Sequence, residues 1–246
     1  MPWTHRLYCP DAREGAERVD LSAEQAHYIS RVLRMDSGAA IKLFDGRGGE
    51  YIASIEGRGR RKVSVAGLQK VDAMPESPLQ VTLYQGIARG ERMDWVMQKA
   101  TELGVAAIRP VFAERTEVKL KADRLKRRML HWEGVVASAC EQCGRAWLPK
   151  LLDPVPLYDL HVDAEPDRLR LVGSIEKTAR LLPSFDAPRA VDLVIGPEGG
   201  LTYQEEKFLV DAGWQAASVG PRVLRTETAG PAALAIMQAL WGDGAP

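Results

Sequence analysis

The chain has 246 residues, 46% hydrophobic and 27% charged, and its 33 basic side chains balance 33 acidic ones. These values describe one or two globular domains with ample core, and the zero net charge excludes the broadly basic surface common among nucleic-acid binders, leaving only local patches. No apolar run reaches membrane-spanning length and the first residues lack a secretory pattern, so a cytoplasmic protein without membrane contact is expected; Cys9, Cys140 and Cys143 are too few for a disulfide framework.

In chain order, residues 1 to about 72 read as β-rich. Ile41–Phe44 runs into the turn Asp45-Gly46, and Glu50–Ile55 and Lys62–Leu68 alternate around the Gly57–Gly59 turn, which suggests a small barrel or sandwich. One helix interrupts, capped by Ser22, with Ala26, Ile29, Val32 and Leu33 on one face and Arg31 and Arg34 pointing the same way. Met74-Pro75-Glu76-Ser77-Pro78 is the linker candidate, giving domains 1–73 and 78–246. Strands then alternate with helices: Leu79–Tyr84, a helix Glu91–Leu103 stopped by Gly104, Ala107–Phe112, a long helix from Ala122 to about Cys143, Leu169–Val172, Val191–Ile195, Ala216–Val219 and a last helix carrying Ala233, Leu234, Ile236, Met237, Leu240 and Trp241. This is an α/β domain with a mainly parallel sheet.

Two loops between those last strands and helices carry the chemistry. Gly196-Pro197-Glu198-Gly199-Gly200 follows a buried strand, and Thr202 with Glu205 forms a capping box just beyond it. It lacks the Lys-Ser/Thr pair of a P-loop and the Gly-x-Gly-x-x-Gly of a dinucleotide site, which disfavours polyphosphates. Gly220-Pro221-Arg222-Val223-Leu224-Arg225-Thr226-Glu227-Thr228 is longer than a plain connection and holds charged groups a connection does not need. Arg225 suits an anion or a base edge, or an ion pair with Glu227 or Glu198. Basic clusters at Arg58-Gly59-Arg60-Arg61-Lys62 and Lys119–Arg128 suit phosphates or a solvated face. Cys140-Glu141-Gln142-Cys143 lies near a helix end and has no partner histidine motif, so no metal is expected.

Taken together these residues resemble the bacterial 16S rRNA (uracil-N3)-methyltransferases of the SPOUT superfamily. The resemblance rests on Leu193–Leu201 and Val219–Ala229. Upstream it takes in Arg89–Met93, Gln98–Val105, Glu114-Arg115 and Glu141–Arg145, then His27-Tyr28-Ile29, Arg31–Arg34 and Leu43–Gly46. It implies a small PUA-like β-barrel domain that docks RNA, followed by an α/β SPOUT-type methyltransferase domain with a C-terminal trefoil knot. It further implies S-adenosylmethionine held at that knot by Val172, Gly173, Ile195, Gly196, Pro197, Gly200, Val219, Gly220, Leu224, Arg225, Thr228 and Ala229. The first cofactor loop reads Gly173-Ser174-Ile175-Glu176 where many relatives have a His-Pro or similar pair, so no side-chain contact is assigned to residues 174–176.

The implied reaction is methylation of N3 of one uridine near the 3′ end of 16S rRNA in the small ribosomal subunit, by a homodimer. Uracil N3 must lose a proton to attack the methyl, so Arg225 is assigned the developing negative charge, with Glu198 and Glu227 as candidate proton acceptors. Arg6, Arg31, Arg34, Arg58, Arg60, Arg61, Arg89, Arg92, Lys99, Arg115 and Arg145 are the candidate RNA contacts. The competing readings are a SPOUT methylase acting on a tRNA ribose 2′-hydroxyl and a non-catalytic rRNA-binding assembly factor. Pro231 lies beyond the first turn of a helix capped at Thr226, so the last helix is expected to start nearer Thr228.

Overall fold

The computed structural model describes residues 5–58, 62–117, 122–160 and 167–245; Arg60, Arg61, Lys119, Lys121 and His161 lie outside them, as does the side chain of Arg58. The chain divides into two compact units, Met1–Pro75 with Ala137–Leu148, and Glu76–Val136 with Pro149–Pro246. One division thus falls within the Met74–Pro78 segment, but the first unit also takes in the end of a helix that begins in the second.

In the first unit, strands β1 (Arg6–Tyr8), β2 (Arg18–Asp20), β3 (Ala40–Phe44), β4 (Glu50–Arg58) and β5 (Val63–Val71) form one curled sheet in the order β1-β3-β4-β5-β2. Only β1 and β3 are parallel, and β1 and β2 remain edges, so among the described residues the sheet is not closed into the expected barrel. Alternation along the strands buries Leu7, Ile41, Leu43, Ala53, Ile55, Val63 and Val65 in a common core.

Helix α1 (Ala23–His27) starts where Ser22 accepts from the Gln25 amide, and the Gln25 side chain accepts from the Ser22 amide in return. The next six residues, Tyr28–Leu33, wind as a π-helix, which displaces the expected face: Ile29 is buried but Val32 is exposed. Arg34 follows in the left-handed conformation (φ 53°), so it leaves the helix and does not share a helical face with Arg31.

The second unit is built on a parallel sheet. Its strands are β6 (Gln80–Gly86), β7 (Ala107–Phe112), β8 (Lys150–Leu151), β9 (Val155–Pro156), β10 (Arg168–Gly173), β11 (Arg180–Leu181), β12 (Ala190–Ile195) and β13 (Gln215–Ser218). Their order is β11-β13-β10-β12-β6-β7-β8, with β9 also paired to β7, and every pairing is parallel. Helices α2 (Glu91–Glu102), α3 (Ala122–Cys143), α4 (Tyr203–Asp211) and α5 (Thr226–Trp241) complete the unit, apart from the end of α3. α5 packs on α2 and on β6 and β12, while Leu209 and Trp214 cover Val111, Val172 and Val194. Both faces are therefore covered, which is why β12 reads as a near-continuous apolar run. The exception is Asp192, buried but paired with Arg168 of β10 at 2.9 Å. No helix among the described residues is long and apolar enough to cross a membrane.

Two sequence expectations are corrected here. Arg6 and Arg145 are not surface phosphate contacts. The Arg6 guanidinium lies over the Phe44 ring, pairs with Glu50 at 2.7 Å and donates to the carbonyls of Cys140 (2.6 Å) and Arg145 (3.2 Å) at the end of α3. A cation there satisfies helix carbonyls that have no partner within the helix. Arg145 is itself buried, and Glu141 accepts from the Tyr8 amide at 2.9 Å. The second correction concerns α5, which begins at Thr226 and not near Thr228, with Pro231 inside it. The first turn is fastened from outside by hydrogen bonds of Thr226 described below, which offsets the bond that proline removes.

Two outcomes follow. Glu50→Ala leaves the nearly buried Arg6 without its carboxylate, so stability falls by about 3 kcal/mol in urea unfolding. Cys143 is the reactive thiol: the hydrogen bond from Cys140 is the largest cause, burial opposes it, and the Arg145 amide with the charges of Arg145 and Arg6 helps to bring its pKa down to about 6. Burial pushes the Cys9 thiol up, and Cys140 is fully buried. Iodoacetamide at pH 7 therefore labels Cys143 first, with the rate falling as pH drops through about 6, read by mass spectrometry.

Candidate active site

Parallel strands bring the loops after β6, β10, β12 and β13 to one edge of the sheet. The loop after β12 turns at Gly200, which is left-handed at φ 69° and donates to the Pro197 carbonyl at 2.9 Å. Thr202 then caps α4. Glu205, fully buried, accepts from the Thr202 amide at 2.7 Å with one oxygen and from the Glu114 amide at 2.8 Å with the other. Arg115 donates to the carbonyls of Gly199 (2.8 Å) and Leu201 (3.3 Å), holding the loop from outside.

Gly86 ends β6 directly beneath this loop. A Cβ there would lie 2.4 Å from the Pro197 nitrogen and 2.7 Å from the Gly196 carbonyl carbon, so only glycine permits the crossing. Beside it, the buried Gln85 amide donates to the Thr226 hydroxyl at 2.9 Å, and that hydroxyl donates to the Gly196 carbonyl at 2.6 Å. The loop after β13 is thereby tied to the loop after β12 through the first residue of α5. Ser218 exchanges two hydrogen bonds with the Gly220 backbone, at 3.0 and 3.2 Å, and so shapes the start of that loop.

These loops enclose a cleft of about 1140 Å³. Leu193, Ile195, Ala217, Leu224, Ala229 and Ala233 give it apolar walls. Of the twelve residues assigned to the cofactor, ten line it. Val172 is instead fully buried in the core beside Val111 and Val194, and Thr228 faces outward from α5. Gly200 and Gly220 line it with open space over their Cα atoms, so backbone comes to the surface of the cleft.

Arg225, Glu198 and Glu227 all line the cleft. Arg92, assigned to RNA, bridges the two carboxylates, at 2.9 Å from Glu198 and 3.6 Å from Glu227. Burial works to raise the Glu198 carboxyl. The amide of Arg89, its own amide and the Arg92 guanidinium together outweigh burial and hold it below the ordinary carboxylate value. Among the described residues Arg225 has only a 4.0 Å pairing with Glu227, and its side chain is 78% exposed.

The remaining RNA candidates are dispersed. Arg31 and Arg34 are exposed in the first unit. Arg89 pairs with Glu117, and Lys99 pairs with Glu102 at 2.8 Å and lies over the Trp95 ring. The sequence reading missed Gln85, Gly86 and Glu206, because each acts on a residue far away in the chain. The β6 Gln-Gly pair was the one local signal, a polar residue and a glycine ending a buried strand. Among the described residues no group of His, Cys, Asp and Glu could hold a metal ion.

The glycine geometry is testable. Gly86→Ala forces backbone apart and costs about 2 kcal/mol, a fall of ~4–8 °C in the unfolding midpoint by calorimetry. Gly134→Ala, in open space within α3, raises the midpoint instead by reducing unfolded-chain entropy.

Comparison with known proteins agrees with this geometry. A family model described as an RNA methyltransferase domain matches residues 75–238, and an RNA methyltransferase PUA domain matches residues 21–66. The chain is similar to a ribosomal RNA small subunit methyltransferase E from Neisseria gonorrhoeae bound to S-adenosyl methionine, with TM-score 0.91 and 37% identity, covering 99% of this chain and 100% of that one. It is also similar to a putative methyltransferase from Legionella pneumophila in complex with the bound cofactor SAM, with TM-score 0.93 and 38% identity, covering 98% and 99%. Ribosomal RNA small subunit methyltransferase E of Buchnera aphidicola subsp. Schizaphis graminum is 32% identical over 238 residues, 97% of each chain. A match that spans both units, with the cleft loops inside the methyltransferase region, means that this chain belongs to the ribosomal RNA small subunit methyltransferase E family of the SPOUT superfamily.

Proposed function

We propose that this protein methylates N3 of one uridine near the 3′ end of 16S rRNA in the small ribosomal subunit, in the cytoplasm and as a homodimer. It is an S-adenosylmethionine-dependent methyltransferase. The cleft fits that cofactor: it has apolar walls for a flat base and exposed loop backbone at Gly200 and Gly220. Ile195, Gly196, Gly200, Val219 and Leu224 would hold the adenosine portion. When bound, S-adenosylmethionine supplies an electrophilic methyl group.

The chain's own residues then have two tasks. Arg225 is the observation that carries the reading: it lines the cleft just before α5 with its side chain 78% exposed, whereas Arg92 is spent on Glu198 and Glu227 and Arg115 on loop carbonyls. Its guanidinium is available to the uracil oxygens as N3 loses its proton, where stabilising the developing charge lowers the barrier. Glu227, between Arg92 and Arg225, is the better-placed proton acceptor. Glu198 is a weaker base than an ordinary carboxylate, since two amides and Arg92 already stabilise its charged form.

Topology supports a trefoil knot. The chain leaves β12, lays β13 beyond β10, and returns to pack α5 on β6 and β12, so Gly220–Arg225 must pass the Gly196–Gly200 loop. Exposed Trp95 on α2 and Leu240 on α5 supply apolar surface for a second copy, and Arg31 and Arg34 supply cations for RNA docking by the first unit.

Purified small subunits lacking the modification, incubated with enzyme and labelled cofactor, should gain one methyl at uridine N3. Label on a ribose hydroxyl, or no label, refutes the assignment. Arg225→Ala should lower single-turnover methylation by about 10²–10³-fold while titration calorimetry shows nearly unchanged cofactor affinity. Arg225→Lys should recover only part of the rate, because the planar donor fork is lost.

A further inference from the structure

The loop after β10 is tied to α4 by a side-chain contact. Ser174 is buried, and its amide donates to the Ala217 carbonyl at 2.9 Å, which fixes the loop against β13. The Ser174 hydroxyl accepts from the Glu176 amide at 3.2 Å and donates to Oε2 of Glu206 on α4 at 3.1 Å. Both residues line the cleft.

Glu206 is a carboxylate held by one oxygen. Among the described residues no cation lies within ion-pair distance of it, and Oε1 has no hydrogen-bond donor. Burial pushes the Glu206 carboxyl above the ordinary carboxylate value; the Ser174 hydroxyl opposes this, and the Glu176 charge adds to it. Arg92, Arg115, Lys177, Arg222 and Arg225 also line the cleft, but none pairs with Glu206. A part-buried acceptor aimed into a ligand cleft with no internal donor is costly unless the ligand brings one.

We propose that Glu206, oriented by Ser174, binds the cofactor directly by accepting a hydrogen bond from a donor on its polar edge, either the ribose hydroxyls or the α-ammonium. The inference rests on the assignment of this cleft to S-adenosylmethionine. Ser174 is a positioning residue, because it acts through Glu206. A carboxylate acceptor also makes a charge-assisted contact, which is stronger than the neutral contact a glutamine could make in its place.

The test is titration calorimetry of the wild-type protein, Glu206→Gln and Ser174→Ala with two ligands. One is S-adenosylmethionine; the other is 5′-methylthioadenosine, which keeps the ribose and lacks the amino-acid arm. Glu206→Gln should weaken S-adenosylmethionine binding about tenfold or more, and Ser174→Ala about threefold, with ligand-free unfolding midpoints close to wild type. Loss for both ligands supports the contact at the ribose, and loss for S-adenosylmethionine alone supports it at the ammonium. Affinities within twofold of wild type in both variants overturn the proposal. If Glu206→Gln does not fold, Ser174→Ala decides by the same criterion. Failure of the wild-type protein to bind S-adenosylmethionine would refute the reading of the cleft itself, a result distinct from failure of the Glu206 contact.

Discussion

The site depends on one hydroxyl group. Thr226 accepts from Gln85 at the end of β6 and donates to the carbonyl of Gly196 at the end of β12, so three elements distant in sequence meet at one buried oxygen. Each such bond contributes only about 1 kcal/mol net, but an orphaned partner in this setting costs about 1–3 kcal/mol, so the three elements hold or fail together. The branched Cβ of threonine narrows its rotamers, which makes it a stiffer tie than serine. The same contact explains why α5 tolerates Pro231. A proline in the second turn would normally fray what precedes it, yet here the first turn is anchored to the sheet.

Around that tie, charge is divided between groups that are spent and groups that are available. Arg92 and Arg115 serve the protein: one neutralises Glu198 and Glu227, the other caps loop carbonyls. Arg225 is left largely exposed, with a 4.0 Å pairing to Glu227. Glu206 is the negative counterpart, held by the Ser174 hydroxyl without a cation. A cleft that presents Arg225 and Glu206 to its ligand suits a reaction in which negative charge builds on the acceptor base while the donor carries positive charge.

What could be read in the sequence was whatever is written locally. The Gly-Pro loops, the Thr202–Glu205 box, the Ser22 cap and the strand-helix alternation all rest on neighbours within a few residues, and the structure contains each. What could not be read depends on distant partners. Arg6 looked like a phosphate ligand because its actual partners, Glu50 and the end of α3, lie 44 and more than 130 residues along the chain. Arg34 was misplaced because a π-turn and a left-handed residue break the helical count on which face arguments rest. Gly86 carries no local mark of its role, since the atoms that forbid a side chain belong to Pro197. The tail of α3 joins the first unit through contacts that no composition shift announces.

Strand order converts these local features into a site. The sequence order β10, β12, β13 becomes the spatial order β13-β10-β12-β6, so β10 separates the two strands whose loops carry the chemistry. With neighbouring parallel strands ~4.8 Å apart, four strands spread their loops over ~14 Å, room for a nucleoside with a side arm. If β12 and β13 were adjacent, the Gly196 and Gly220 loops would abut and close the cleft. Inserting β10 gives it a floor, and that floor must be low. Gly173 ends β10 there, and a Cβ on it would come 2.7 Å from the Ile195 side chain. The glycine at the end of β10 is therefore as much a part of the binding geometry as the glycines of the loops beside it, because it keeps the floor below the level at which the loops present their backbone.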